Sequence, residues 1–239
     1  EARTAIDRIR PLFWLAECED PAYHEVFDAT YTWKFLHSME DYYRKQSGFS
    51  GLFDVLRFYD SNFPQQAIRA YFTSNHDENS HSGSEYERLG DAALPFAVFC
   101  STWNGIPLIY SGQELPNRKR LKFFDKDLIE WKTPCALHDF YKTLLGLRKR
   151  NSALRAGDPS VSTFILNNSA NRQVISFLRR NRQREVRVVL NLSANEVSLH
   201  LDSGEVNGEF TDAFNAGNLH IDSGTIFRLK PWEYRLYEK

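Results

Sequence analysis

The stretch AIRAYFTSNHDEN, residues 67–79, joins an apolar run directly to a group of polar residues. The apolar part is typical of a buried β-strand, and Asn75, His76 and Asp77 follow it at once. On this stretch alone, the polar residues could form a solvated loop, or they could face a ligand from the end of a strand. The secondary-structure pattern of the rest of the chain decides between these two interpretations.

Four strand-like runs alternate with helical segments in the first two thirds of the chain. The runs are PLFWLAE (11–17), VFDATYTWKF (26–35), AIRAYFTSNHD (67–77) and GIPLIYSGQE (105–114). The helical segments cover residues 1–10, 41–64, 85–103 and 134–154. We expect a break near Gly48 and Gly51 in the second segment and a kink at Pro95 in the third. This alternation predicts βα units and a parallel sheet, and therefore an α/β fold.

The pattern changes near Gly157. Six short or alternating runs follow, separated by Asn, Gly, Ser and Asp, at residues 162–168, 173–180, 185–193, 196–203, 224–230 and 233–239. They predict a small antiparallel all-β sandwich or meander. We therefore divide the chain into a domain of residues 1–157 and a C-terminal β domain of residues 158–239.

Composition and charge argue against several classes of function. The 239 residues are 42% hydrophobic and carry a net charge of −1, which predicts no strong attraction to nucleic acid or anionic membrane. The basic cluster RRNRQR (179–184) lies between two strand-like runs and is interpreted as a solvated hairpin tip. No apolar run approaches the ~18 residues of a membrane span. Three widely spaced cysteines predict neither a disulfide framework nor a metal site, and Cys100 is assigned to the core.

Three of the predicted strands end in acids: Glu17, Asp77 and Glu114. Because the carboxyl ends of parallel strands lie at one edge of a sheet, we expect these side chains to meet there. Each residue alone also has a structural explanation, since an acid at such a place often caps a helix and a lone histidine is often structural. Two carboxylates at one edge are what glycoside hydrolysis needs.

These motifs resemble those of the α-amylase family of glycoside hydrolases. FTSNHDEN is similar to the family's strand-seven motif, LFWLAECED to its strand-five motif and GIPLIYSGQE to its strand-eight segment. PAYHEVFDATYTW resembles the loop and strand six between them. The resemblance covers most of residues 1 to about 155 in the right order. It implies the C-terminal half, strands 5–8, of a TIM-type (β/α)8 barrel followed by the family's β domain.

The resemblance also implies roles for individual residues. Glu17 matches the general acid/base, and Asp77 matches the carboxylate that steadies the transition state. His76 matches the histidine that donates to sugar hydroxyls. Asn75, Tyr110 and Trp33 are further candidates for substrate binding. No cofactor or metal site is evident from the residues, and calcium is suggested by the resemblance alone.

Two features depart from the family's pattern. Its nucleophile, an aspartate in a GFRxDxA-like motif on strand four, has no counterpart here, so we expect that strand to precede Glu1. Cys18 stands where members often have a bulkier residue. We therefore expect a catalytically incomplete part of a retaining α-glucan hydrolase, which associates with itself or with its N-terminal half and whose compartment is unknown. A transglycosidase and a non-catalytic amylase-like binding or accessory protein are the alternatives.

Overall fold

The structure is a computed structural model that describes residues 1–182, 184–202 and 207–239. Its first sheet has four strands, in the order β1 (Leu15–Ala16), β2 (Ala29–Tyr31), β3 (Ile68–Tyr71) and β4 (Ile106–Pro107). All three neighbouring pairs are parallel. The strands are shorter than the apolar runs, but their order and direction match the prediction. Their carboxyl ends consequently lie at one edge of the sheet.

Seven helices accompany these strands in the described part of the chain. They are α1 (Ala2–Asp7), α2 (Trp33–Tyr43), α3 (Phe49–Asn62), α4 (His76–His81), α5 (Glu85–Leu89), α6 (Ala93–Thr102) and α7 (His138–Arg150). Short 3-10 turns cover Pro21–Glu25, Gly90–Ala92 and Ser152–Leu154. Phe35 of α2, Tyr59 of α3 and Phe99 of α6 all contact the Tyr71 ring of β3. This aromatic cluster fixes the helices on the sheet.

The predicted second strand, VFDATYTWKF, is wrong in its second half. The strand ends at Tyr31, and Trp33 is the first residue of α2. Both carboxylate oxygens of Glu19 accept from the backbone nitrogen of Lys34, each at 3.1 Å. A carboxylate in this position satisfies an otherwise unpaired helix N–H and complements the helix dipole. The helix start is therefore fixed by a residue that lies far from it in sequence.

The predicted helix over residues 85–103 consists of two helices, and its break is not at Pro95. Gly90 adopts φ +49 and ends α5, and α6 begins three residues later. Pro95 consequently lies in the first turn of α6, where its missing N–H has no intrahelical partner to lose. The other predicted break is found at Gly48, which precedes α3, whereas Gly51 lies inside that helix.

The C-terminal part is antiparallel, as predicted. Its strands are β5 (Val161–Ile165), β6 (Val174–Asn181), β7 (Arg184–Asn191), β8 (Val197–Leu199), β9 (Gly208–Asp212), β10 (Asn218–Ile221), β11 (Phe227–Leu229) and β12 (Tyr234–Glu238). Six form one sheet in the order β10-β9-β12-β7-β6-β5, and β11 pairs with β8. Leu178 and Val189 of the large sheet share a buried cluster with Leu199 and Leu229 of the small one. The two sheets therefore pack face to face.

Strands β9 and β10 are absent from the sequence prediction. They are joined by a turn in which the Asp212 carboxylate accepts from the nitrogens of Phe214 and Asn215. Residues 208–224 contain three glycines, two asparagines and two aspartates, and these turn-forming residues hide the short strands from the sequence prediction. Position 203, the last residue of the predicted strand 196–203, lies outside the described residues.

Residues 179–181 and Arg184 of the basic cluster lie at the ends of the paired antiparallel strands β6 and β7, as the hairpin prediction requires, but they are not wholly solvated. Gln183 of the cluster lies outside the described residues. Arg179 is fully buried, and its guanidinium donates to the carbonyl oxygens of Ala153 and Arg155, each at 3.2 Å. It also donates to Thr163 Oγ1 at 2.8 Å. Burial lowers the pKa of Arg179 to about 10. This arginine joins the β domain to the segment after α7.

The change from parallel to antiparallel structure falls between Leu154 and Val161. The predicted limits at 157 and 158 lie in this interval and stay a prediction. The two parts share a core, because the Phe177 ring of β6 lies 4.9 Å from that of Trp103 at the end of α6. Cys100 is buried, as expected. Within the described residues, no helix combines the length and apolarity needed to cross a membrane.

Candidate active site

Glu17 is the first residue after β1. The neighbouring Cys18 carbonyl accepts a hydrogen bond from the Tyr31 nitrogen at 2.9 Å, which continues the pairing of β1 with β2 beyond the strand ends. Glu19 follows and is held against α2 by Lys34 and against α3 by the Tyr59 hydroxyl. The backbone on the C-terminal side of Glu17 is thus anchored, while the Glu17 side chain is 44% exposed.

His76 and Asp77 occupy the first turn of α4, and not the strand end predicted from the sequence. Asn75 is the N-cap, and its side-chain oxygen accepts from the Glu78 nitrogen at 2.8 Å. Only 1% of Asn75 is exposed, so its observed contact is structural. The position of Asp77 at a helix N-terminus favours its negative charge.

The three predicted side chains Glu17, His76 and Asp77 converge. His76 Nε2 lies 3.5 Å from Glu17 Oε1 and 3.5 Å from Asp77 Oδ1. One potential ligand atom from each side chain lies within 4.8 Å of the other two. His76 and Asp77 are 52% and 37% exposed, so the cluster is open to solvent. An imidazole between two carboxylates can donate to one of them or to a bound hydroxyl group.

This cluster is also the one group in the described residues whose atoms lie close enough to share a metal ion. Its donors are one imidazole nitrogen and two carboxylates. Calcium takes six to eight oxygen ligands, so this set does not fit the calcium suggested by the family resemblance. The cluster therefore supports no step that runs through calcium.

Tyr31 is a site residue that the sequence interpretation missed. Burial first, and then the negative charges of Glu17 and Asp77, raise the pKa of Tyr31 above its ordinary value. The Tyr31 ring lies 5.0 Å from Phe72 and 5.7 Å from Trp33. Its place at the end of β2, between the strands that carry Glu17 and Asp77, is the signal from which it could have been found.

The remaining candidates are Trp33, Tyr110 and Glu114. Trp33 is half-buried in the first turn of α2 and meets Phe72 edge to face at 5.3 Å. Tyr110 is also half-buried, and its backbone nitrogen donates to Gln113 Oε1 at 2.6 Å. Glu114 lies outside the three-residue cluster, and its carbonyl accepts from the Leu137 nitrogen. The structure thus brings together three of the predicted residues, and the Trp33 ring packs on Tyr31 and Phe72.

A sheet of parallel strands with helices, joined to an antiparallel β domain, is a fold that this chain shares with solved structures named α-amylase. The α-amylase 2 of Dictyoglomus thermophilum is 29% identical over 180 residues, which cover 70% of this chain and 28% of that protein. The maltogenic α-amylase AmyB of Thermotoga neapolitana matches in structure with a TM-score of 0.82 and 22% identity. That match covers 100% of this chain and 57% of the other.

A further structural match is the cyclomaltodextrin glucanotransferase CldA, with a TM-score of 0.78 and 17% identity over 99% of this chain and 52% of that one. No family model matches the chain. The chain spans about a quarter of the length of the curated relatives it matches and somewhat over half of the solved structures. The sequence matches to α-amylases over about 70% of the chain confirm the predicted resemblance, and the structural matches show the same fold over its whole length.

Proposed function

We propose that this chain is part of a retaining α-glucan hydrolase that acts on starch and maltooligosaccharides. The observation that carries the proposal is the convergence of Glu17, His76 and Asp77 from two different strand ends. The likeness to proteins named α-amylase supports it independently. A solvated loop or a simple helix cap would explain each residue, but neither explains why all three side chains meet.

In this proposal Glu17 donates its proton to the glycosidic oxygen while the bond from that oxygen to the anomeric carbon breaks. A nucleophilic carboxylate supplied by another segment bonds to the anomeric carbon and forms a glycosyl-enzyme intermediate. Glu17 then removes a proton from water, which attacks the same carbon and releases the carboxylate. The water oxygen thus ends on the anomeric carbon with the original configuration.

The other residues act on the sugar that carries the developing charge. The anion of Asp77 stabilises an oxocarbenium-like transition state, and its oxygens accept from ring hydroxyls. His76 donates to a hydroxyl of the same sugar. The half-buried ring of Trp33, which packs on the buried rings of Tyr31 and Phe72, gives the sugar an apolar wall, and Tyr110 contributes on the β4 side. Asn75 contributes to this site indirectly, because it caps the helix that carries His76 and Asp77.

We further propose that the four parallel strands are strands 5–8 of an eight-stranded barrel. In the described residues, β1 and β4 each have one neighbour in the sheet, so both outer edges are open. Large apolar side chains are exposed near the β1 edge, among them Ile9, Phe13 and Val26. A further set of four strands would pair with both edges and cover these side chains.

Two functions other than hydrolysis are the alternative candidates. A transglycosidase shares the first step and passes the glucosyl unit to a sugar hydroxyl, and the structural match to a cyclomaltodextrin glucanotransferase supports this candidate. A non-catalytic amylase-like protein would bind the glucan without cleaving it. The presence of both Glu17 and Asp77 favours an enzyme.

Assays of a longer form that contains the chain and the other half of the barrel test the proposal. Incubation with maltoheptaose should release shorter maltooligosaccharides, and proton NMR of the first product should show the α-anomer. Products longer than the substrate would identify the transglycosidase. Binding of maltoheptaose without any turnover would contradict the proposed hydrolase and favour the accessory protein.

A further inference from the structure

The guanidinium of Arg88 lies inside the protein, where it contacts both ends of the segment that carries His76 and Asp77. We propose that Arg88 is a positioning residue that sets the distance between His76 and Glu17. It acts through the backbone of residues 73–83 and through Glu78, and it touches no substrate. This inference deepens the proposed function, because it concerns the same site.

Three hydrogen bonds define the position of the Arg88 side chain. Its Nε donates to the Gly83 carbonyl at 2.9 Å, and Nη2 donates to the Thr73 carbonyl at 2.6 Å. Its Nη1 donates to the Glu40 carboxylate of α2. Thr73 precedes the Asn75 cap and Gly83 follows the end of α4, so one planar group spans the whole segment. Because a guanidinium has fixed donor directions, it fixes the two carbonyls relative to each other.

A second contact joins Arg88 to the helix itself. Nη1 lies 3.7 Å from Glu78 Oε2, and Glu78 directly follows Asp77. Glu40 and Glu78 thus share the positive charge of Arg88, and Glu40 connects it to α2. Rotation of α4 about its axis would move both His76 and Glu78, and the Arg88–Glu78 contact opposes that rotation.

The environment of Arg88 makes these contacts hard to replace. The Arg88 side chain is 1% exposed, so water cannot substitute for a lost partner. Removing one member of a buried ion pair leaves an uncompensated charge and strongly destabilises a protein. A lysine keeps the charge but has no planar fork, and it cannot donate to Gly83, Thr73 and Glu40 with the same geometry.

Stability alone would not distinguish positioning from packing, so the test follows the ring of His76. The 239-residue chain is labelled with nitrogen-15, and the ring signals of its seven histidines are recorded, with His76 assigned through His76→Gln. Glu17→Gln replaces the carboxyl group 3.5 Å from His76 Nε2 by an amide and should shift the ring signals of His76. The size of that shift reports whether the two side chains are adjacent.

The same Glu17→Gln change is then made in the Arg88→Lys background. We define the His76 response as the shift of the His76 ring signals that Glu17→Gln causes. In the Arg88→Lys background we expect this response to be less than half as large as in the parent chain. Arg179→Lys is the matched control, because Arg179 of the β domain is also fully buried and donates to two backbone carbonyls, those of Ala153 and Arg155. In the Arg179→Lys background the His76 response should be unchanged. The thermal stability should fall in both Arg88→Lys and Arg179→Lys.

A folded Arg88→Lys chain with the full His76 response would overturn the proposal. If Arg88→Lys does not fold, Glu40→Gln decides, since it keeps the guanidinium but removes its anchor on α2. A reduced response in Glu40→Gln supports positioning, and an undiminished response contradicts it. Because the readout is a ring signal and not turnover, failure of the hydrolase proposal would not alter the result.

Discussion

His76 Nε2 lies at the same distance, 3.5 Å, from a carboxylate oxygen of Glu17 and from one of Asp77. Glu17 follows β1, whereas His76 and Asp77 follow β3, and β2 lies between these strands. The side chains therefore reach across the end of β2, whose last residue, Tyr31, is buried and has its pKa raised first by burial and then by the charges of Glu17 and Asp77. A single imidazole thus links two strand ends that are not neighbours in the sheet.

The interaction of Glu19 with the start of α2 gives a prediction about stability. Its carboxylate accepts from the Lys34 nitrogen and from the Tyr59 hydroxyl, and its side chain is 8% exposed. Glu19→Gln keeps the shape but removes the charge from these hydrogen bonds. We expect the free energy of unfolding to fall by about 1–3 kcal/mol in urea titrations.

The matched control for this change is Glu25→Gln, since Glu25 is exposed at the end of the following 3-10 turn. Its free energy of unfolding should change by less than about 0.5 kcal/mol. Equal losses in the two variants would show that Glu19 does not stabilise the start of α2.

The raised pKa of the Glu85 carboxyl predicts that the free energy of unfolding depends on pH. Burial raises the pKa of this carboxyl from 4.5 to about 7. The folded state then holds a proton that the unfolded state loses, so the stabilisation is complete below pH 4.5 and is lost as pH rises towards 7. The difference of 2.5 pKa units corresponds to roughly 3 kcal/mol. Glu85→Gln should therefore match the parent near pH 4.5 and be more stable than the parent at pH 8.

Glu87 lies on the same helix and provides the opposite case. Its backbone hydrogen bond with Ser84 lowers the pKa of the Glu87 carboxyl. Its contribution to stability is therefore present above pH 4.5 and is lost as pH falls below that value. Glu87→Gln should therefore have a lower stability than the parent at neutral pH, and this difference should shrink as pH falls below 4.5. Parallel pH profiles for the two variants, measured by thermal unfolding, would contradict the burial of Glu85 as the cause.

Sequence reasoning succeeded where local pattern and topology agree. The order of the four parallel strands, and the meeting of Glu17 with Asp77, follow from apolar runs and from the rule that parallel strands end at one edge. It failed where a distant residue decides the local structure. Trp33 begins a helix because the Glu19 carboxylate accepts from the α2 backbone, and no pattern within residues 26–35 contains that contact.

Other elements were missed because the local signal has two interpretations. Pro95 breaks a helix in its interior but is tolerated in a first turn, and only the φ of Gly90 fixes where α6 begins. The place of Arg179 in a basic cluster between two strand-like runs predicts a solvated hairpin tip. Its burial depends on two carbonyls after α7, which the sequence does not place beside it.

The open edges of the parallel sheet lead to a prediction for the chain on its own. It should show no hydrolysis of maltoheptaose, because a retaining mechanism needs a nucleophile about 5 Å from the acid, on the other face of the sugar. Light scattering should show self-association, since exposed edges pair with other chains. Association should not restore turnover, because a second copy brings no strand-four nucleophile. Turnover by a verified monomer would show that this account of the missing nucleophile is wrong.

The central claim is that Glu17 gives its proton to the glycosidic oxygen, and one comparison of leaving groups tests it most directly. In the longer form, Glu17→Gln should lower kcat on maltoheptaose at least about a hundredfold, the scale of general acid catalysis. The first step on an aryl maltooligoside whose leaving group needs no proton should be far less affected. Glu25→Gln serves as the control with unchanged kcat. Unchanged turnover of maltoheptaose in Glu17→Gln would contradict the assignment of Glu17 as the acid.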